Sequence, residues 1–547
     1  MNKSKSDRTR VRRWSIGLLW LLILSPGMLI AQQQSSAQPD AQTNLAPTPP
    51  MGWANWNHYF CDYDDGTIRS QADAMVRTGM KDLGYEYLII QECIAPSRDS
   101  SGVIVPDGKR FPHGVKPLVD YIHARGLKAG IYTDIGAHTC FDHPQYEGSF
   151  DHEDQDAATF ASWEIDFIEV DYCNLPKGHT GKELYGRMAA AIRKTGRPML
   201  LYICSWGNER PWEWAQGTAQ LWRTDADVSW EKNHVQWTRV VQNFESNARH
   251  AVFSAPNSWN DPDMLEVGVP GLSPVEGRSH FSMWAISAAP LWAGADLTIM
   301  DAETLATYTN PEVIAVDQDS LGAGAVKARE DAEGLQVWDK QLGSVAGGNH
   351  AVLLLNLTPA PATVSVHWSD LALLPGATVR DLWARKDLGS FKDGYSANIP
   401  SHGSILLKIS GETNWSKGAI YEAEWPGNLR SEVVELLECG ECSASFGVAI
   451  GGNGNGEEAS GALAFPHVNT PRAGRYTLQL FFLRNGREDK NVTVQINDTE
   501  PVPLKILTFV WSSVEVPVDL KAGNNVVTVR YAGKNGFDLD RIKIIPQ

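Results

Sequence analysis

The sequence lacks the features that define several other classes of protein. It has no HExxH motif, no pair of CxxC motifs and no tight histidine cluster, so nothing has the ligand spacing of a zinc site. No GxGxxG follows an early strand, which argues against a dinucleotide-binding fold, and there is no tandem repeat. Basic residues are in the minority, because 48 Lys and Arg against 65 Asp and Glu give a net charge of −17. We expect such a surface to repel nucleic acid and anionic lipid.

What the 547 residues do contain is the composition of a globular chain, with 43% hydrophobic and 21% charged residues. At roughly 100–200 residues per domain, this length predicts two to four domains. Tryptophan is frequent, since 20 Trp exceed both the 15 Tyr and the 16 Phe. Indole rings can stack on the C–H faces of sugars as well as fill cores, so the count favours a carbohydrate-related function.

The N-terminal segment predicts export. The apolar run Trp14–Ala31 follows a basic stretch and precedes a Gln/Ser/Ala/Pro-rich stretch. This order is typical of a secretory signal peptide over 1–31 and a flexible linker over 32–46. The alternative is an uncleaved membrane anchor, which Pro26 and Gly27 within the run disfavour. No later segment is long and apolar enough to cross a membrane. We therefore expect a secreted or periplasmic protein that does not contact the membrane after signal removal.

Short apolar runs alternate with amphipathic helical stretches over residues 47–320. The runs that predict strands begin at residues 51 (MGWANW), 85 (YEYLIIQ), 127 (LKAGIYTD), 165 (IDFIEVD), 198 (PMLLYIC), 220 (QLWRTD), 250 (HAVFSAP) and 283 (MWAISAAPLWAG). Eight strands alternating with helices indicate an α/β fold of the (β/α)8 barrel type, with an open doubly wound sheet as the alternative. In such a barrel the functional residues lie at the C-terminal ends of the strands.

After residue 320 the pattern changes to short alternating runs separated by Gly, Pro and Asn. Such runs are typical of antiparallel β structure. They predict an antiparallel β-sandwich domain over 321–412 and, after a polar stretch, a second β-sandwich over 418–547.

Acidic residues at predicted strand ends are candidates for catalysis. Asp171 ends the run IDFIEVD, although an acid there could instead cap the next helix. Asp227 lies in WRTDADVSW, where it is either catalytic or a surface carboxylate, and Asp225 competes for the same role. The segment WNDPDML presents Asp261 and Asp263 on a turn. Two carboxylates in an aromatic-lined barrel mouth are typical of glycoside hydrolysis, in which one attacks the anomeric carbon and the other protonates the leaving oxygen.

Seven cysteines in an exported chain predict disulfides. Because the number is odd, at least one thiol stays free, and Cys204 in the apolar run MLLYIC is the best candidate. Cys439 and Cys442 lie close together in CGEC.

Several motifs resemble one known family. MGWANWNHYFC, GMKDLGYEYLII, GIYTDIGAHTC, EVDYC, WRTDAD, SWNDPDML and NPEVIAVDQD stand in the order seen in glycoside hydrolase family 27, the α-galactosidases and α-N-acetylgalactosaminidases. The resemblance covers roughly residues 45–410. It implies a (β/α)8 barrel followed by an antiparallel β domain, and hydrolysis of terminal α-linked sugars with retention and without a cofactor.

The resemblance also implies roles for individual residues. Asp171 matches the family's nucleophile and Asp227 its acid/base, which favours Asp227 over Asp225. Further positions match sugar contacts of the family: Trp53, Tyr132, Arg223 and Asp263. The family's disulfides correspond to the pairs Cys61–Cys93 and Cys140–Cys173.

Four of the expected substrate-binding positions depart from the family pattern. Gln91 and Glu92 stand where the family usually has two adjacent Asp that bind the 4- and 6-hydroxyls of the sugar. Glu169 replaces a Lys, and Ser205 replaces a frequent Glu or Asn. The catalytic pair is therefore kept, while much of the sugar-binding set is changed.

We expect a retaining exo-α-glycosidase of the α-galactosidase type that acts on oligo- or polysaccharides. The alternatives are an isomalto-dextranase or another α-glucan hydrolase on the same fold and, in another class, a non-catalytic glycan-binding protein. Some family members release isomaltose from dextran or act on β-L-arabinopyranosides, so altered specificity has precedent.

Residues 418–547 resemble the carbohydrate-binding modules of families 6 and 35, through YEAEW near the start and FDLDRI near the end. In that fold the termini meet, which implies that Glu422, Glu424 and Asp540 share a structural calcium ion through oxygen ligands. The alternative is that these acids are solvated at strand edges.

Trp511 and the loop 451–456 are the candidates for sugar binding in this region. The expected partner of the whole protein is a carbohydrate. No cofactor is expected for catalysis, and the sequence leaves the oligomeric state open.

Overall fold

The computed structural model describes residues 44–142, 145–431, 434–438, 446–450, 458–483, 490–506, 512–534 and 537–547. The predicted signal peptide, almost all of the predicted linker and four of the positions considered above lie outside the described residues: Cys439, Cys442, Trp511 and the loop 451–456. Among the described residues, none of the helices combines the length and the hydropathy that a membrane span requires.

A parallel sheet forms the first part of the described chain. Its eight strands are β1 Met51–Ala54, β2 Tyr87–Ile90, β3 Lys128–Asp134, β4 Phe167–Asp171, β5 Leu200–Cys204, β6 Leu221–Arg223, β7 Trp259–Asp261 and β8 Leu291–Ala293. Neighbours in the chain are neighbours in the sheet, and β8 pairs with β1 in the register Met51↔Leu291. A parallel bridge between Leu265, just after β7, and Ala293 of β8 closes the ring. The predicted (β/α)8 barrel is confirmed.

Helices connect the strands of the barrel. They are α1 Trp56–Tyr59, α2 Asp65–Arg77, α3 Lys116–His123, α4 Glu153–Ser162, α5 Gly181–Thr195, α6 Pro211–Trp214, α7 Trp237–Ala248, α8 Pro274–Ser287, α9 Ala302–Tyr308 and α10 Pro311–Asp317. Local chemistry fixes several of their ends. Asp64 caps α2 through the Thr67 N–H, and Ser273 with Glu276 forms a capping box at α8.

Two of the predicted strands were placed wrongly. The run HAVFSAP forms a 3-10 turn at Ala251–Phe253, and β7 lies further on, in the short segment Trp259–Asp261. The first half of MWAISAAPLWAG belongs to α8, and only its end forms β8. Helix α8 is buried on all sides from Ser279 to Ser287 because it packs against both the barrel and the following β domain, so it lacks amphipathic periodicity.

An antiparallel domain follows the barrel. Its strands are β9 Val326–Ala332, β10 Leu335–Gln341, β11 Asn349–Asn356, β12 Ala362–His367, β13 Ala377–Asp381, β14 Lys386–Phe391, β15 Gly394–Ile399 and β16 Ser404–Ser410. Six of them form a sheet in the order β9-β10-β11-β16-β13-β14. The other two, β12 and β15, pair antiparallel and make a second layer. Alternate residues such as Val352 and Leu354 point into a core shared by the two layers, as the sequence pattern predicted.

The C-terminal region is a second sandwich with a core of its own. Its described strands are β17 Ala419–Glu422, β18 Leu429–Arg430, β19 Val434–Glu438, β20 Phe446–Ile450, β21 Glu458–Thr470, β22 Gly474–Leu483, β23 Lys490–Ile496, β24 Val502–Ile506, β25 Ser512–Leu520, β26 Gly523–Lys534 and β27 Phe537–Pro546. They form two antiparallel sheets, in the orders β19-β20-β27-β22-β25 and β18-β21-β26-β23-β24. The first strand, β17, pairs with the last, β27, so the two ends of this region meet as predicted.

The C-terminal region contacts the barrel directly. Trp425 donates its indole N–H to the carbonyl of Ser254 at 3.0 Å. Gln216 donates to the carbonyl of Pro426 at 3.0 Å and accepts from Arg430 at 3.1 Å. Gln216 precedes β6 and Ser254 precedes β7, so these contacts lie at the N-terminal face of the barrel.

Candidate active site

A cavity opens at the C-terminal ends of the barrel strands. Its volume, including the open mouth, is about 690 Å³. The predicted site residues that line it are Gln91, Glu92, Tyr132, Glu169, Asp171, Arg223, Asp227 and Asp263. Eight of the ten predicted catalytic and substrate-binding side chains therefore come together in one cavity.

Asp171 is the last residue of β4 and is 7% exposed. Its Oδ2 accepts a hydrogen bond from the Tyr132 hydroxyl at 2.8 Å, and its Oδ1 accepts one from the Tyr172 N–H at 2.9 Å. Burial, together with the charge of Asp227, raises the pKa of Asp171 to about 7. Asp171 does not cap the next helix, because Thr180 does so.

Asp227 stands beside Arg223 on the cavity wall. Arg223 Nη2 lies 3.1 Å from Asp227 Oδ1 and 3.2 Å from Asp263 Oδ2, so one guanidinium group orients two carboxylates. Burial raises the pKa of Asp227, while the positive charge of Arg223 lowers it. The rival Asp225 is not part of the cavity lining, and its Oδ1 accepts from the neighbouring Ala226 N–H. The geometry favours Asp227 over Asp225.

Gln91 and Glu169 form a hydrogen-bonded pair in the cavity. Gln91 donates from Nε2 to Glu169 Oε2 at 2.7 Å, and its own main chain is held by Asn55. Glu169 is 3% exposed. Burial, reinforced by the charge of Asp171, raises the pKa of Glu169 well above its usual range. The protonated, neutral form of Glu169 is therefore favoured over the form it would have in water.

Glu92 lines the cavity, but protein donors occupy its carboxylate. Oε1 accepts from the Phe141 N–H at 2.9 Å and lies 3.1 Å from the Tyr132 hydroxyl, whose single proton is nearer to Asp171. Oε2 accepts from the Thr139 hydroxyl at 2.8 Å and the Cys93 N–H at 3.1 Å. A carboxylate has about four acceptor positions, so little is left for a sugar hydroxyl. Glu92 therefore acts mainly as a support for Tyr132 and the surrounding loops.

Two of the predicted sugar contacts, Trp53 and Ser205, do not line the cavity. Trp53 is 0% exposed and donates its indole N–H to the Ala295 carbonyl at 2.8 Å, because its side chain packs into the core between the barrel and its helices. Trp56, beyond the end of β1, lines the cavity instead. Ser205 is also fully buried and donates to the Asn208 carbonyl at 3.1 Å, while the next residue, Trp206, lines the cavity.

Sequence reasoning missed several residues that line the cavity: Ala54, Trp56, Asn57, Ile89, Cys140, Tyr202, Cys204, Trp206, Met264 and Trp292. Most of them are aromatic, small or sulfur-containing residues in or after a barrel strand. Cys204 is the free thiol that the sequence predicted, and Arg223 Nη1 points at its Sγ across 3.7 Å.

The two predicted disulfides, Cys61–Cys93 and Cys140–Cys173, are both present. They brace the loops that follow β1, β2, β3 and β4, and therefore the surroundings of Glu92 and Asp171. Asp134 and Asp171 have ligand atoms within 4.8 Å of the second pair of cysteines. Because those sulfurs are joined to each other, they are not available as thiolate ligands for a metal.

The C-terminal region contains an acidic cluster where its two ends meet. Glu424 is 0% exposed, and neither of its carboxylate oxygens has a hydrogen-bond partner among the described residues. Burial raises the pKa of Glu424 to about 8, and the charges of Glu422 and Asp540 add to the effect. Orphaned buried oxygens beside two further acids fit the ligand chemistry of a hard cation such as calcium.

Comparisons with known proteins identify the family. Residues 48–319 match the family described as alpha galactosidase A, and residues 332–409 match the alpha galactosidase C-terminal beta sandwich domain. An α-galactosidase of Oryza sativa is 42% identical over 364 residues, which make up 66% of this chain and 84% of the rice protein.

Two solved structures share the fold. The crystal structure of α-galactosidase I from Mortierella vinacea aligns with a TM-score of 0.63 and 34% identity, covering 68% of this chain and 99% of that one. The structure of a family 27 β-L-arabinopyranosidase from Geobacillus stearothermophilus aligns with a TM-score of 0.60 and 27% identity, covering 67% and 97%. The chain therefore belongs to the α-galactosidase family of glycoside hydrolases.

Proposed function

We propose that this protein is an exo-acting α-glycosidase that removes terminal α-linked sugars with retention, using Asp171 as nucleophile and Asp227 as acid/base. The observation that carries the proposal is the shared cavity, in which Asp171 and Asp227 are close enough for the charge of one to raise the pKa of the other. Two interacting carboxyls lose their protons in two separate steps, and the first step of the reaction needs the state in which Asp171 is ionised and Asp227 is protonated.

In that first step, the Asp171 carboxylate bonds to the anomeric carbon as the bond to the leaving oxygen breaks. The proton of Asp227 moves to that oxygen, so the leaving sugar departs as an alcohol. In the second step, Asp227 takes a proton from water, the water oxygen attacks the same carbon, and Asp171 leaves as a carboxylate. Hydrogen bonds from Tyr132 and the Tyr172 N–H stabilise the charged form of Asp171 before and after this cycle.

The sugar that fits best is set by Gln91 and Glu169. Both side chains are engaged with each other, and Glu92 is held by protein donors, so the cavity offers few of the charged contacts that the family uses for galactose. A site built around particular hydroxyls rejects a sugar that leaves its buried polar groups unpaired, by as much as ~10⁴-fold. We propose that the enzyme acts on α-galactosides more weakly than its relatives do. An α-1,6-linked glucose is the second candidate substrate.

The C-terminal region is proposed to bind carbohydrate and to hold a structural calcium ion through Glu422, Glu424 and Asp540. Its support is the two-sheet sandwich and the orphaned carboxylate oxygens of Glu424. Export is proposed from the N-terminal pattern, and the two disulfides are consistent with an oxidising compartment.

A panel of nitrophenyl glycosides tests the proposal: α-galactosyl, α-N-acetylgalactosaminyl, α-glucosyl and β-L-arabinopyranosyl, with dextran as a polymer. We expect turnover of at least one, and NMR should show that the first sugar released has the same anomeric configuration as the substrate. Release of the inverted anomer would refute the assigned roles. Inactivity on the whole panel would favour a glycan-binding protein.

A further inference from the structure

Trp230 has an unusual environment for a tryptophan. Its side chain is 66% exposed, whereas the other tryptophans of the described residues are buried or only partly exposed. Single exposed apolar side chains are common on protein surfaces, so a role for Trp230 depends on where the indole lies and how it is held.

The indole lies next to the segment that carries the proposed acid/base. Trp230 follows Asp227 by three residues, in the loop after β6. Arg239 links the two, because its Nη2 donates to the Asp227 carbonyl at 2.8 Å and its guanidinium carbon lies 5.9 Å from the centre of the Trp230 ring. The cation–π contact fixes the ring relative to the main chain of Asp227.

The loop that presents Trp230 is anchored to the cavity wall on both sides of it. Before the indole, the Val228 N–H donates to Asp263 Oδ2 at 2.7 Å. After it, the Asn233 N–H donates to the carbonyl of Asn57 at 2.6 Å. Asp263 and Asn57 both line the cavity. The exposed ring is thus held in place before any ligand arrives, which lowers the entropic cost of binding.

We propose that Trp230 is the platform for the leaving group, and that its exposed face stacks on the C–H face of the second sugar of the substrate. This rests on the proposed function. The acid/base protonates the glycosidic oxygen, so the leaving sugar lies next to Asp227, and Trp230 is an exposed aromatic residue of the same loop. Stacking on an aromatic ring is tolerant of hydroxyl pattern, so the subsite selects a pyranose ring rather than one particular sugar.

The test compares two substrates of the sugar that the wild-type enzyme releases best: its glycosyl fluoride, which has no ring as leaving group, and a disaccharide of the same sugar. For Trp230→Ala we expect the ratio of kcat/KM on the disaccharide to kcat/KM on the fluoride to fall by about 3- to 10-fold. The loss should appear mainly in KM, and Trp230→Phe should restore most of the ratio. Val326→Ala, which shortens an exposed side chain of β9, is the matched control.

An unchanged ratio in Trp230→Ala, or an equal loss on both substrates, would overturn the assignment of Trp230 while leaving the proposed function intact. Inactivity of the wild-type enzyme on every sugar of the panel would instead refute the proposed function, and the leaving-group subsite with it.

Discussion

Gln91 donates a hydrogen bond from its side-chain amide to Glu169 across 2.7 Å, and this pair replaces a carboxylate and a cation of the family's sugar-binding set. The two side chains share this hydrogen bond in the absence of a ligand. The pair offers a sugar different hydrogen-bonding groups from those of a galactose pocket, although the catalytic acids around it are unchanged.

The first prediction exchanges this pair. Gln91→Asp together with Glu169→Lys should raise kcat/KM on α-galactosides relative to the native preference, because the new pair supplies a carboxylate acceptor and a cationic donor. Each single change should do less, since it leaves one buried group without its partner, and the two effects should not add. Measuring the panel of glycosides on the wild-type enzyme, the two single variants and the double variant gives the coupling energy between the two positions. Efficient hydrolysis of melibiose or raffinose by the wild-type enzyme would contradict the proposed shift in specificity.

The second prediction concerns the catalytic pair. Asp171→Ala should reduce turnover by at least about 10⁴-fold, and azide or formate should restore part of it on activated substrates because a small anion can replace the missing nucleophile. Asp227→Ala should retain activity on substrates with good leaving groups, which need little protonation.

Asp225→Ala is the matched control for the acid/base, since it removes a neighbouring carboxylate that does not line the cavity. If Asp225→Ala showed the leaving-group dependence and Asp227→Ala did not, the assignment of the acid/base would be reversed.

The third prediction concerns pH. The nucleophile must be ionised, and the pKa of Asp171 is about 7, so activity should fall as the pH drops through that value. Tyr132→Phe removes a hydrogen bond to the charged form and should raise the pKa of Asp171 further. The acid limb of kcat/KM should therefore move to higher pH by about one unit.

Tyr185→Phe is the control for the pH profile. It removes the hydroxyl of another buried tyrosine, which has no hydrogen-bond partner in the described part of the chain, and it should leave the profile in place. An acid limb that stays fixed in Tyr132→Phe would show that the hydrogen bond does not stabilise the reacting carboxylate.

The fourth prediction concerns calcium. Adding calcium to the full chain should raise the melting temperature of the C-terminal sandwich, and EDTA should lower it. A ligand that binds only the folded state stabilises that state, by about 2.7 kcal/mol when its concentration is 100 times its Kd. The pKa of Glu424 is about 8, so a bound proton competes with the ion and the stabilisation should increase as the pH rises towards and past that value.

Glu424→Gln should abolish the response to calcium, whereas Glu515→Gln, an exposed acid on β25, should keep it. A melting temperature that calcium and EDTA both leave unchanged would remove the ion from the description of this region.

The alternation of short apolar runs with helical stretches is a local pattern, and it was sufficient to predict the barrel. Asp171 ends one of these runs, whereas the choice of Asp227 over Asp225 required the family resemblance. The sequence was not sufficient for features that depend on distant contacts. The support role of Glu92 requires Thr139 and Phe141, which are 47 and 49 residues away. Helix α8 was partly taken for a strand because tertiary packing buries all of its faces. The motif containing Trp53 and Trp56 does not reveal which indole turns into the core.

The C-terminal sandwich and the cavity lie at opposite faces of the barrel. Gln216 and Ser254 hold the sandwich at the end of the barrel where strands begin, while the cavity opens where strands end. If the sandwich binds carbohydrate as proposed, the polysaccharide segment that it holds and the sugar that is cleaved are on opposite sides of the barrel.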